Sequence, residues 1–488
     1  MKEFFKTNKY NLLIVLLVGL LIYSIRMIFY SISIDTEVLI NNPEQLLNSW
    51  MSIGRFGLVG IKKLFNLVPI NINLTNIFTF IIFYISIVIW MMNVEKFQKV
   101  KNKYSTLVFA LVLIASPIFA EQFGFTLQSL EMSIAFLLLA IGINFQEKYL
   151  NTNKIWYVLI TILLLVISFM CYQAFIFLYI TICAFDYFVK YKGKIDYKLI
   201  LKYILIYIIS LVIYYGLTQI LTNVLNIEKT PYLLNQIDWA KGSFFGVLLK
   251  TIVVNIVTTN IFMGIVFDII LIITFVIITK YLLSVYKIKQ NKMFYLVYIF
   301  LFISPFLSGI IKGSVEMYRA KFSLAFFIAF MLYYLVNNFG NIKNKKFSSI
   351  IKYFVIFTII VQILISFSLF FIDYQRYKDD VETGNKINEI IQKMDKQKIV
   401  VFVGKKEYKK FKVTGETLGH SFFEWDANEA YGVNFRVNGF LKTINIDYNI
   451  PSLEDIQKVK DELVDMPIWP EEGSIIEREK CIIVNLGK

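Results

Sequence analysis

Long apolar runs alternate with short polar breaks from the N-terminus to about residue 373, and there the pattern stops. The runs fall at about 11–30, 74–92, 105–120, 130–146, 155–171, 173–189, 200–222, 261–284, 294–310, 321–337 and 351–373. A helix of roughly 20 apolar residues covers about 30 Å of hydrocarbon, so the pattern predicts eleven transmembrane helices. Buried helices of a large soluble protein would be shorter and would have amphipathic neighbours. The first run is followed by Arg26 and by no small-residue cleavage site, which predicts a retained span rather than a signal peptide. The pair on either side of Cys171-Tyr172-Gln173 is read as a tight hairpin; one continuous helix is the alternative.

Beyond Ile372 the pattern is that of a water-facing segment. It has an amphipathic stretch near Val381–Met394, a strand pattern over Lys398–Gly404, the segment GHSFFEWD at 419–426 and a terminal strand at Cys481–Asn485. Alternating helix and strand signals predict a small α/β domain. The expected architecture is an all-α polytopic membrane domain over residues 1–373 and a C-terminal α/β domain over residues 374–488.

Composition agrees with that reading. The chain is 57% hydrophobic with only 17% charged residues, and its mean hydropathy is +0.62. The net charge of +15 suggests nucleic acid until it is divided by region. Residues 374–488 carry 18 Lys and Arg against 20 Asp and Glu, so the excess lies in the short loops of the first part. That is a topology signal, and no nucleic-acid partner is expected. With the N-terminus cytoplasmic, every inner segment is short and lysine-rich: Lys2, Lys6 and Lys9, then Lys96 to Lys103, Lys148 and Lys154, Lys190 to Lys198, Lys287 to Lys292, and Lys343 to Lys346. The outer loops are then 31–73, 121–129, 223–260 and 311–320, and the C-terminal domain is extracytoplasmic. Reading the Tyr172-Gln173 break as continuous helix would invert every later loop and violate the lysine pattern. The amphipathic run Phe244–Thr259 is expected along the outer interface. The expected location is the bacterial cytoplasmic membrane.

This topology gathers the carboxylates outside. Asp35, Glu37 and Glu44 lie in the first outer loop, and Arg55 follows in Gly54-Arg55-Phe56-Gly57. His420 is the sole histidine, and Cys171, Cys183 and Cys481 show no metal-ligand spacing, so acid–base chemistry falls to carboxylates. Asp35 either marks a helix end or deprotonates a hydroxyl at the mouth of a cavity. Glu37 beside it would raise a carboxyl pKa and Arg55 would lower it. Arg55, between glycines, either holds an anionic group bidentately or faces lipid phosphates. Lys62 and Lys63 read as interface anchors. Lys312 and Arg319, beside Glu316, form a second outer cationic cluster that holds a phosphate or caps a span. Glu121, Gln122 and Gln128 sit in a polar break after Ser116-Pro117, and Tyr172 and Gln173 in another. Such breaks are tolerated at membrane depth where protein or a wet cavity satisfies the backbone. Amides and phenols there suit sugar hydroxyls. Asp186 reads as snorkelling towards Lys190, Asp268 has no evident partner, and His420 reads as structural. No nucleotide loop, HExxH or cofactor motif is present, and no cofactor or metal is expected.

Several of these pieces in order resemble one family. They are SIDTE after the first span, Trp50 followed by Gly54-Arg55-Phe56-Gly57, Ser116-Pro117 leading to Glu121-Gln-Phe-Gly-Phe-Thr126, Tyr172-Gln173, and Arg319. Together they resemble the bacterial O-antigen glucosyltransferase II family, whose architecture is similar to the C-type (GT-C) glycosyltransferases. The resemblance covers roughly residues 20–370 and, more loosely, the strand and GHSFFEWD segment of the tail. It implies transfer of a sugar, typically glucose, from a polyprenyl-phosphate donor to a cell-envelope glycan at the outer membrane face, with inversion. Among C-type enzymes the base is an acid of the first outer loop, which maps to Asp35, with Glu37 as the neighbouring acid. By the resemblance Arg55 and Arg319 match positions where cations hold the donor phosphate. By their own chemistry Lys312 is a further candidate for the phosphate, and Glu121, Gln122, Gln128, Tyr172 and Gln173 are candidates for sugar contacts. A polysaccharide polymerase or ligase and a multi-span transporter or flippase are the competing readings. The first leans on a large arginine-rich outer loop with a histidine; the second predicts internal repeats and broken mid-bilayer helices.

Overall fold

The computed structural model describes the chain except residues 1, 192–193, 229, 231–234, 240, 257–268, 270–271, 281–291, 343, 396, 409–414, 461–465 and 488. Among the described residues, seven helices are long and apolar enough to cross a membrane: Lys2–Ile28, Ile72–Phe97, Ser105–Gly124, Thr126–Thr152, Tyr197–Val224, Met293–Lys312 and Lys345–Ile391. Three further apolar helices, Ile155–Cys171, Ala174–Lys190 and Phe322–Asn337, are 16 or 17 residues long. Much of the expected span 261–284, with Asp268, lies outside the described residues. The flank of Tyr197–Val224 exposes Leu201, Leu205, Ile208, Val212 and Ile220, an apolar surface that only lipid or another apolar partner covers favourably.

The breaks have identifiable causes. Pro117 cannot donate a backbone hydrogen bond and pushes Ser116 into extended conformation (φ −63°, ψ 124°), so the run 105–124 splits at that point. The carbonyls left over are taken by neighbouring helices: Ser366 Oγ donates to the Ala115 carbonyl at 2.7 Å and Tyr23 Oη to that of Ile114 at 3.4 Å. Elsewhere Asn93 Nδ2 donates to the Ala140 carbonyl at 2.8 Å, and Ser168 Oγ to that of Ala135 at 3.0 Å. Hydrogen bonds of this kind, with close packing, hold apolar helices together where the hydrophobic effect cannot. The chain also breaks at Tyr172-Gln173, as the hairpin reading requires.

Buried charge shapes the bundle as well. Lys62 is no interface anchor: it is buried and its Nζ lies 2.7 Å from the Glu131 carboxylate, since an ammonium away from water needs a counter-charge. Lys190 bridges Glu147 (2.9 Å) and Asp186 (2.8 Å), so Asp186 is the partner of Lys190 inside the bundle. At the same end Asn337 binds the backbone of Lys99, Lys101 and Asn102, which brings two lysine-rich segments together. The tail meets residues 31–42 through Arg436 and Asp35, the 121–129 segment through Glu416 and Glu121, and the 311–320 segment through Glu416 and Arg319.

The final apolar run does not stop at residue 373. It continues as one helix, Lys345–Ile391, of 47 residues. At about 1.5 Å per residue this is about 70 Å, twice the hydrocarbon thickness. No proline interrupts it, and beyond Asp373 it keeps a buried stripe of Arg376, Tyr377, Asp380, Thr383, Ile387 and Ile391 at helical spacing. The stretch expected as a separate amphipathic helix is therefore its last three turns. The tail contains a three-stranded sheet in which β1 (Ile399–Val403) runs parallel to β3 (Cys481–Asn485) and β2 (Ile475–Glu477) antiparallel to it. A second hydrophobic core joins Val400, Phe402, Phe422, Phe440 and Val484 of the tail to Ile32 and Ile34 of the loop after the first helix. The tail and that loop fold as one packed unit.

A buried ionic chain ties this unit to the bundle. Arg26 lies 3.0 Å from Asp373, Asp373 2.5 Å from Arg376, and Arg376 3.3 Å from Asp380. Asp373 also accepts the Gly419 N–H (3.1 Å), and Asp380 the Ser421 hydroxyl (2.5 Å) and the Phe422 N–H (3.2 Å). The start of GHSFFEWD is thus held by two carboxylates of the long helix.

Candidate active site

Asp35 stands where the buried Ile32 and Ile34 have turned the chain off the first helix. It adopts a left-handed conformation (φ 69°), which short polar residues tolerate better than others, and its side chain does not cap the helix Thr36–Asn41 that follows. Arg55 is set by the turn before it. Gly54 has φ +82°, with Thr218 and Tyr214 side chains 3.2 and 3.3 Å from where a Cβ would stand, so glycine is required there. Gln173, in the break between two apolar helices, donates to the Ile53 carbonyl at 2.8 Å and holds that turn. The Arg55 guanidinium lies over the Tyr172 ring at 4.5 Å, and that of Arg319 over Phe125, also at 4.5 Å. Rings under planar cations fix them in orientation without neutralising them.

These groups converge on a cavity of about 510 Å³. Asp35, Arg55, Gln128, Tyr172 and Arg319 all line it, together with apolar Leu46, Trp50, Ile53, Phe125, Leu127 and Met317. Half of the residues singled out from the sequence thus meet in one place. The others do not line it. Gln173 stands just behind Arg55, with Oε1 3.5 Å from Nε. Lys312 lies 3.9 Å from Glu316 instead. Glu121 is buried and accepts the Glu416 N–H (2.7 Å), the Thr417 N–H (3.3 Å) and the Thr417 hydroxyl (3.0 Å), so it grips the tail. Gln122 is buried with neither side-chain polar atom bonded among the described residues. Glu37 is buried on the far side of Asp35 and lines a different cavity.

The tail brings in groups that sequence reasoning passed over. Arg436 places Nη1 2.5 Å from Asp35 and 2.7 Å from Glu37, and Nε 2.5 Å from Asp426. Glu416 lies 3.3 Å from the Arg319 guanidinium and accepts its backbone N–H at 3.1 Å. One signal for Arg436 was available: the chain has six arginines among its 50 basic residues. Arg26 and Arg376 hold the buried ionic chain, while Arg55 and Arg319 line the cavity and Arg436 pairs with its Asp35. Where lysine is the default cation, a retained arginine marks a place that needs a planar, multidentate group. His420 lies 2.8 Å from Glu424 and edge-on to Trp425.

Burial pushes the Glu37 carboxyl up, Arg436 opposes this and Asp35 adds to it, leaving the group at about 7 against an ordinary 4.5. Between those two values the folded protein holds a proton that the unfolded chain has released. Stability therefore falls as pH rises from 4.5 to about 7 and is level above that. Glu37→Gln, which keeps the neutral shape, is expected to flatten this slope. Thermal unfolding followed across that window checks it, and equal slopes for both proteins would contradict the assignment.

A helical membrane protein with a carboxylate and two ring-backed arginines at one polar cavity is equipped to act on an anionic, hydroxyl-bearing substrate. The chain matches the glucosyl transferase GtrII family over residues 24–336 and belongs to it. It is a membrane glucosyltransferase by family and by its apolar helices. No curated protein and no solved structure matches the chain.

Proposed function

We propose that the enzyme transfers glucose from a polyprenyl-phosphate donor to a cell-surface glycan on the outer face of the cytoplasmic membrane, within a C-type architecture. Asp35 is the base. The observation that carries this reading is the single cavity that combines a carboxylate, two arginines and an apolar wall. Arg55 and Arg319 bind the donor phosphate and stabilise the charge that grows on it as the glycosidic bond breaks. Trp50, Leu46 and Ile53 receive the start of the isoprenoid. Gln128 and Tyr172 offer an amide and a phenol to the sugar hydroxyls. Asp35 takes the proton of the attacking hydroxyl as the oxygen adds to the anomeric carbon opposite the phosphate, so the centre inverts in one step. Glu37 and Arg436 position Asp35 rather than react. The phosphate must share Arg319 with Glu416, which makes donor binding sensitive to the docked tail.

The test is transfer from labelled polyprenyl-phosphate glucose by the purified full-length protein. Arg55→Ala and Arg319→Ala are each expected to raise the donor KM by about tenfold or more, the loss of one charge-assisted contact. A protein that consumes glucose from a nucleotide donor and none from the lipid donor would overturn the reading.

A further inference from the structure

A second cavity, of about 390 Å³, lies between the first loop and the tail. Glu37, Asn41 and Asn42 come from the loop, and Asn438, Lys442 and Tyr448 from the tail. Its size falls in the range of small-molecule sites, roughly 300–1,000 Å³. Two buried oxygens among its lining residues, Glu37 Oε2 and Asn438 Oδ1, have no hydrogen-bond partner among the described residues. A buried polar oxygen without a partner is costly, and a ligand hydroxyl suits both, accepting from protonated Glu37 or donating to its carboxylate and to Asn438 Oδ1.

Charge narrows the ligand. Lys442, the one cation of the wall, is 3.6 Å from Asp447, and Glu37 adds a carboxyl, so the cavity has no surplus of positive charge for a phosphate. Amides, a phenol and a carboxyl fit a neutral molecule rich in hydroxyls. Gly439 lets the walls approach: a Cβ there would lie 3.0 Å from Glu37 Cγ, so a bare backbone allows the helix Asn434–Thr443 to close on the loop.

We propose that this cavity is a subsite for a neutral sugar unit of the acceptor glycan, next to the unit whose hydroxyl is glucosylated. The inference rests on the donor-site reading above and deepens it. Arg436 Nη1 touches Asp35, which lines the first cavity, and Glu37, which lines this one, so one ionic contact links a residue of each. A glycan reaching across that contact would have one unit in the subsite while the next presents its hydroxyl to Asp35. The tail therefore selects the acceptor.

The experiment uses the full-length enzyme with labelled polyprenyl-phosphate glucose and two acceptor probes, neutral disaccharides and the same disaccharides carrying a phosphate. Asn438→Leu is expected to raise the KM for the neutral acceptor by about tenfold, more than it raises the donor KM. An unchanged acceptor KM, or preference for the phosphorylated probe, overturns the proposal. A second measurement needs no turnover. Asn449, exposed at the rim, is changed to Cys in a Cys481→Ser background, and maleimide labelling is timed with and without neutral disaccharide. Protection that Asn438→Leu abolishes supports the subsite; its absence at saturating sugar refutes it. If the wild-type protein consumes no lipid donor, the donor reading fails while the labelling result still decides this one.

Discussion

Asp35→Asn is expected to lower glucose transfer by about 10²–10⁴-fold, the usual contribution of a general base, with the donor KM little changed. Asparagine keeps the size of the side chain and one oxygen for Arg436, so the loop and the docked tail should persist. What is lost is the ability to take a proton. Asp35 is favoured over Glu37 because it lines the cavity that holds Arg55 and Arg319, whereas Glu37 is buried behind it. Glu37→Gln should therefore act through Arg436 and cost much less. Single-turnover rates of the two purified variants separate the roles. Full activity in Asp35→Asn together with a large loss in Glu37→Gln would reverse the assignment.

The largest expected loss of stability comes from Asp373→Ala. The carboxylate accepts from Arg26, Arg376 and the Gly419 N–H, all away from water. Its removal leaves two guanidiniums short of a counter-charge inside the protein. Breaking a buried pair in this way costs about 3–5 kcal/mol, and here two pairs are broken by one change. The tail should come away from the long helix first, since Gly419 loses its anchor at the same time. Thermal unfolding of the detergent-solubilised variant, with protease digestion of the released tail, reads both effects. A variant as stable and as protease-resistant as the parent would show that the ionic chain contributes nothing. Combining it with Arg26→Met should recover part of the loss, because Arg376 and Asp380 then remain as a matched buried pair.

The cavity was partly legible in advance. Asp35, Arg55, Gln128, Tyr172 and Arg319 stood out because charges, amides and phenols in an apolar chain occur at breaks, and breaks in membrane helices need a polar surrounding. Lys312 stood out for the same reason and lies beside Glu316 instead. Sequence spacing places a residue at an end of the bundle but not on a side of it. Lys62 resembles an interface anchor in sequence because its partner, Glu131, lies on another helix. Arg436 and Asn438 were passed over because their meaning comes from Asp35 and Glu37, some four hundred residues away in the chain.

By itself the sequence determined that the protein is a bundle of apolar helices, where those helices break, that a small α/β tail follows, and that carboxylates and arginines cluster at certain loops. These are local properties of hydrophobicity, charge and proline. Tertiary structure alone decided that the last helix runs unbroken into the tail, that the tail packs on the first loop, and that Arg436 joins Asp35 to Glu37. Those contacts depend on long-range closure, in which a buried charge is tolerable only where a distant part of the chain supplies its partner.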